Sequence, residues 1–189
     1  MHVRHTANTF GMTARHQSGV MAVEFALIAV VFFTLLLGII EFGRFMYLWN
    51  TVQEVTRNAA RAAVVSDFSA SSVDRIQRDA IFRSGTSGTV WLPAGSELTN
   101  LNVNIQYLNQ AQVPASPMPS SPADNLAACM DITRINSCIR FVEVNVCQQD
   151  KQDCDPIQYV PMVGLFTIFA IDIPGSSVRM PAESLGLRP

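Results

Sequence analysis

A chain of 189 residues has room for one membrane segment and one small folded domain, and not for two enzyme domains. Apolar residues make up 49% and charged residues 15%, with a net charge of -2, which excludes the electrostatic footprint of a nucleic-acid binder. The charge is unevenly placed. Residues 1 to 19 carry Arg4, Arg15 and all three histidines (His2, His5, His16) with no acid, whereas Val20 onward holds eleven Lys or Arg against fifteen Asp or Glu, a formal -4.

The first element is apolar. From Val20 to Ile40 lie 21 residues in which Glu24 is the only charge and Thr34 the only other polar side chain. As a helix this run spans about 31 Å, one hydrocarbon core. A secretory signal peptide also opens with a basic leader, but its apolar region is about 7 to 15 residues and ends at small residues. Here the run passes through Ile39, Ile40, Glu41, Phe42, Gly43 and Arg44 with no A-x-A pattern, so a retained span is expected. By the positive-inside rule the acid-free leader is cytoplasmic and the remainder lies across the membrane.

The junction itself, "GVMAVEFALIAVVFFTLLLGIIEFGRFMY", resembles a type IV prepilin-type processing site. Such sites join a basic leader to a glycine, are cut after it, and place glutamate fifth in the mature chain, here Gly19, Val20 and Glu24. Phe25 resembles the aromatic of the Glu-Phe or Glu-Tyr pair in the tight-adherence (Flp pilus) branch. The run continues in the manner of the TadE-like pseudopilin family, through a Gly-x-x-Glu-x-Gly-Arg portion at Gly38, Glu41, Gly43 and Arg44 and through "RNAARAA" at 57 to 63. Toward the C-terminus, Arg179 and Glu183 are only loosely similar to the family's closing Arg and Glu signature. The resemblance implies a minor pseudopilin for assembly of a tight-adherence pilus, at the start or tip of the filament. It implies a bacterial inner membrane location, with the head periplasmic and the subunit then incorporated in an extracellular pilus. Implied partners are a prepilin peptidase cutting between Gly19 and Val20, other pilin and pseudopilin subunits, and the pilus assembly platform.

Glu24 has a physical reason of its own. A cut after Gly19 creates an amine on Val20, positively charged at neutral pH and one helical turn before Glu24. The carboxylate then pairs with its own terminus or with that of an adjacent subunit, and a pair between subunits counts most in lipid, where each lone charge is costly. The alternative is that Glu24 lies near the interface and snorkels into water.

Beyond the span, Phe45, Leu48, Val52, Val55, Ala59 and Ala63 form one helical stripe, opposite Asn50, Gln53, Glu54, Arg57, Asn58 and Arg61. No proline interrupts Val20 to Val65, so one helix of about 69 Å is possible. A second helix is expected from Ser71, with Asp74 as capping partner, Val73, Ile76 and Ala80 inward, and Ser84 and Gly85 at its end. Alternation predicts one strand through Leu101, Val103, Ile105 and Tyr107, with Asn102, Asn104 and Gln106 outward, and another through Val142, Val144 and Val146. Between them "VPASPMPSSPA", residues 113 to 123, is expected to be an exposed, extended loop. "MVGLFTIFAI", 162 to 171, reads as a buried strand or a turn and strand, and Val178 with Met180 as a last edge strand. The expected organisation is a leader (1–19), a transmembrane helix (20–41), its extramembrane continuation (42–66) and a periplasmic head (67–189). The fold class is α+β, a long pilin-type helix followed by helices packed on a mainly antiparallel sheet.

Four cysteines, Cys129, Cys138, Cys147 and Cys154, fall within 26 residues of the expected extracytoplasmic part. An even set there predicts two disulfides, with three connectivities open, and no CxxC spacing supports zinc. Asp150, Asp153 and Asp155 lack the glycine and closing glutamate of a calcium loop. A chain cut after Gly19 has no histidine, which removes Ser/His/Asp and Cys/His catalysis and imidazole metal sites. Lys151, the single lysine, has no feature nearby that suggests a buried, activated amine, and there is no phosphate loop. No catalytic residue, cofactor or metal is therefore expected. The competing reading is an uncleaved single-span anchor that displays a head for adhesion or binding.

Overall fold

The computed structural model describes residues 17–85, 87–149, 154–162, 164, 171–182 and 184–186. They form an α+β chain: a long N-terminal helix, α1 (Gln17–Ala63), then helices and antiparallel sheets. The chain divides into two units between Phe42 and Gly43.

In the first unit the helix is apolar all round. Val20, Val23, Phe25, Ile28, Phe33 and Ile39 are each more than half exposed. A helix with no polar face has nothing to gain from water. Among the described residues α1 is the one helix long and apolar enough to cross a membrane, and it is compatible with a single-pass anchor. Thr34 causes no polar defect there, since its Oγ1 donates to the Val30 carbonyl one turn back at 2.7 Å.

The second unit begins with residues 43–63 of α1, where the stripe read from the sequence becomes the core. Leu48, Val52, Val55, Ala59 and Ala63 are almost wholly buried, while Asn50, Glu54, Arg57 and Arg61 face water. Helix α2 (Ala70–Ala80) packs Ile76 and Ala80 into the same cluster. Its cap differs from the expected one: Ser69, two residues before Ser71, accepts from the Ser72 amide at 3.3 Å. Asp67 supports that cap by accepting from both the amide and the hydroxyl of Ser69, at 3.1 and 2.7 Å. Bonds from Ser72 and Ser69 hold the Asp67 carboxyl below the usual range. Asp74 is not a capping partner and instead pairs with Arg78 at 2.6 Å. The helix also stops short of Ser84, because Phe82 turns into the left-handed region at φ 62°.

A short hairpin, β1 (Trp91–Leu92) and β2 (Gly95–Thr99), follows, too brief for an alternation signal. Leu101 then departs from expectation. It is about half exposed in a 3-10 turn (Asn100–Asn102), and Asn102 is buried instead. Hydrogen bonding rather than alternation decides this: Asn102 accepts from the Thr99 amide at 2.8 Å and donates to the Cys147 carbonyl at 2.9 Å.

The main sheet runs β3 (Val103–Leu108), β4 (Phe141–Val146), β5 (Ser177–Pro181), antiparallel throughout. Register places Val103 opposite Val146, Ile105 opposite Val144 and Tyr107 opposite Val142, with Val178 and Met180 across from Val144 and Val142. These side chains belong to the core cluster that includes α1 and α2. The opposite face carries a polar row, Gln106, Glu143 and Arg179, in register.

The proline-rich stretch is mostly exposed, as expected, with Ala115 and Pro119 as the buried exceptions. Ala115 is buried and its amide donates to the Tyr107 carbonyl at 3.0 Å, and Pro114 forms a bridge with Leu108. Its last residues open a helix the periodicity did not reveal, α3 (Pro122–Met130), with Ser121 as N-cap and Pro122 in the first turn, where a missing amide costs nothing. Of 162–171 only Met162, Gly164 and Ile171 are described, so the strand expected there lies outside the described residues, as does Glu183.

Candidate processing and assembly segment

Gly19, Val20, Glu24 and Phe25 all lie on α1 and all are exposed. A Cβ built on Gly19 meets no atom within 4 Å, so this glycine is not required by packing. Val20 and Glu24, four apart on one helix, share a face one turn apart. Among the described residues Glu24 has no hydrogen-bond or ion-pair partner, in contrast to Thr34, which satisfies itself within the helix. An unpaired carboxylate on an apolar helix is costly wherever that helix lies in hydrocarbon.

The arginine of the Gly-x-x-Glu-x-Gly-Arg portion has a role the sequence did not disclose. Arg44 forms an ion pair with Glu97 on β2, through Nη2 and Oε1, and the Glu97 side chain is only 2% exposed. Arg44 Nη1 donates to the Val160 carbonyl at 2.8 Å, and the guanidinium lies 5.0 Å from the centre of the Tyr159 ring. Phe45 meets the same ring edge-on at 5.4 Å. Burial pulls the Arg44 pKa down, but hydrogen bonds and charge from Glu97 and Tyr159 outweigh this and hold it above its ordinary value. Arg44 thus ties the start of the head's helix to β2 and to the 159–160 segment. Glu97 has no local sequence signal; it is one polar residue in a five-residue strand, 53 positions away.

The cysteines stand in two sequential pairs, Cys129 with Cys138 and Cys147 with Cys154, with Cα atoms 4.7 and 5.0 Å apart. Among the described residues no free cysteine remains. The first pair joins the end of α3 to the chain leading into β4, and Asn125 reinforces it by accepting from the Ile139 amide at 2.7 Å. The second joins Cys147, directly after β4, to Cys154. Asp150, Lys151 and Asp153 lie outside the described residues.

Toward the C-terminus, Arg179 on β5 donates through Nε to Glu143 on β4 at 3.1 Å and through Nη1 to Gln112. It fastens the edge strand to the sheet. One cleft of about 880 Å³ is lined by Asn125, Leu126, Arg140, Phe141, Pro181 and Leu185 among others. Its lining has neither a nucleophile beside a base nor a cluster of acids.

These features define an α+β protein with an exposed apolar N-terminal helical segment and a head whose own first helical residues, from 43 onward, are tied to β2 by Arg44. Residues 19–61 match the family described as TadE-like protein. The resemblance to that family therefore holds over most of α1, less than a quarter of the chain. It suggests involvement in tight-adherence (Flp) pilus assembly. No curated protein and no solved structure matches the chain.

Proposed function

We propose that this protein is a minor pseudopilin of a tight-adherence pilus, a structural subunit rather than an enzyme, cut by a prepilin peptidase between Gly19 and Val20. The observation that carries this reading is Glu24: it stands on an exposed apolar helix within the TadE-like match, one turn from Val20, without a partner among the described residues. Before the cut the protein is anchored in the bacterial inner membrane, leader in the cytoplasm and head in the periplasm. After it, the Val20 amine and Glu24 pair with neighbouring pilin and pseudopilin subunits at the assembly platform, and Phe25 contributes to recognition by the peptidase. The paired cysteines suit that oxidising location.

The test is intact mass or N-terminal sequencing of the membrane-bound protein from cells with and without the peptidase. A peptidase-dependent N-terminus at Val20 is expected, and Gly19→Leu leaves the full-length precursor. A chain that begins at Met1 in both strains overturns processing in favour of an uncleaved anchor with a binding head. Glu24→Gln is expected to be cut normally yet to enter pili poorly; unchanged incorporation removes the pairing role.

A further inference from the structure

Trp91 is 55% exposed, Met162 75% and Val160 61%. Trp91 and Met162 line one open cleft of about 550 Å³, together with Arg44, Tyr47, Leu92 and Ala94. The cleft is lined mainly by aromatic and aliphatic side chains, with Arg44, paired to Glu97, among them. That is the composition found where protein meets the headgroup level of a bilayer, since Trp and Tyr have an apolar body and a polar handle.

Two loops bring these side chains together, and both are fastened to the same few residues of α1. The hairpin is held by the Tyr47 hydroxyl, which donates to the Pro93 carbonyl at 2.9 Å, and by Gly95 lying against Leu48. The 159–162 segment is held by Arg44, which donates to the Val160 carbonyl at 2.8 Å and lies over Tyr159. Arg44 and Tyr47 are four and seven positions after Ile40, the last residue of the apolar stretch. Chain length alone therefore holds Arg44 within about 15 Å of that stretch's end, whatever the backbone does between. The exposed Trp91 and Met162 are pinned to the residues that the chain presents first on leaving the apolar run.

We propose that this face, centred on Trp91 and Met162, rests in the headgroup and upper acyl region of the membrane that holds the apolar helix, so that the unassembled subunit meets lipid through its head as well as its anchor. The inference rests on the reading of residues 20–41 as a membrane span. Lipid is the occupant because the face is tethered by covalent chain to the span. The aliphatic exposure at Leu126, Met130 and Ile132 near α3 has no such tether.

The experiment uses the full chain in vesicles of phosphatidylethanolamine and phosphatidylglycerol, with bromine carried either near the glycerol end of the acyl chain or at its middle. Trp49→Phe leaves Trp91 as the single tryptophan, and its fluorescence is expected to fall at least twofold more with the shallow bromine than with the deep one. Should that variant fold poorly, the difference in quenching between the wild type and Trp91→Phe gives the same reading. A second probe, Phe33→Trp in a Trp49→Phe, Trp91→Phe background, reports on the anchor and is expected to respond to the deep bromine. Quenching at Phe33→Trp with none at Trp91 overturns the proposal and leaves the anchor standing. Quenching at neither overturns both. Trp91 shielded from bromine and also from aqueous acrylamide means that protein covers the face, and overturns the proposal in favour of a subunit contact.

Discussion

Arg44 on α1 and Glu97 on β2 form an ion pair in which the carboxylate side chain is 2% exposed, with the Val160 carbonyl and the Tyr159 ring completing the arginine's surroundings. Removing one member of a buried pair strands the other charge, at a cost of about 3–5 kcal/mol, whereas replacing both with apolar groups is often tolerated. Arg44→Ala is thus expected to destabilise the head by about that amount. The double variant Arg44→Met, Glu97→Leu is expected to recover most of it. Denaturant unfolding of the detergent-solubilised chain checks this, and equal losses in the single and double variants would contradict a charge-based role.

Gly95 begins β2 where the hairpin passes closest to α1. A Cβ at this position collides with Leu48 Cδ2 and comes within 2.9 Å of Leu92 Cδ2. Both leucines are buried, Leu48 completely, so neither side chain can swing aside. Gly95→Val is expected to cost about 1–3 kcal/mol through overpacking. Thermal unfolding of the variant reads the loss, and the same substitution at Gly175, where a Cβ meets nothing within 4 Å, serves as the control.

The two disulfides each close a short loop, with sequence separations of 9 and 7. By loop-closure entropy each contributes about 2–3 kcal/mol. Cys129→Ser with Cys138→Ser is expected to lower stability by that amount, and non-reducing peptide mapping of the wild type to join Cys129 to Cys138 and Cys147 to Cys154. Peptides joined in another pattern would contradict the described connectivity.

Acid should weaken the head. Burial raises the Glu143 pKa, but the hydrogen bonds and charge of Arg179 outweigh it and the net direction is down. Asp67 and Asp124 are lowered as well, the first by Ser72 and Ser69, the second by the Ser120 amide and Arg134. Carboxyls depressed in the folded state bind fewer protons than in the unfolded chain, where they titrate near about pH 4. Their contribution is therefore complete above that value and is lost as pH falls through the lower folded pKa values. Unfolding midpoints are expected to be flat from neutral pH to about 5 and to drop below about 4. Glu143→Gln is expected to make the drop shallower.

Much of the architecture was legible because its causes are local. The apolar run, the stripe from Leu48 to Ala63 and the alternation in β3 and β4 each follow from a helical or strand period within one stretch of chain. The match of residues 19–61 to the TadE-like family was legible for the same reason, since such a pattern is read along one stretch of chain. Where local polarity and local hydrogen bonding disagreed, sequence reasoning slipped. Asn102 looked outward-facing by alternation, but its amide bridges Thr99 and Cys147 and is buried. Ser69 rather than Ser71 caps α2 because Asp67 orients its hydroxyl.

The sequence by itself determined that the chain has one long apolar helix, an amphipathic continuation and an α+β head rich in short strands, because each depends on periodicity and on which residues water rejects. The tertiary structure alone decided what meets across long separations: Arg44 with Glu97, Glu143 with Arg179, Tyr47 with Pro93, and the sequential choice among three disulfide connectivities. Such pairings leave no periodic trace in the chain. They arise only when β2, β5 and the 159–162 segment are folded against residues that a helix or strand had already placed.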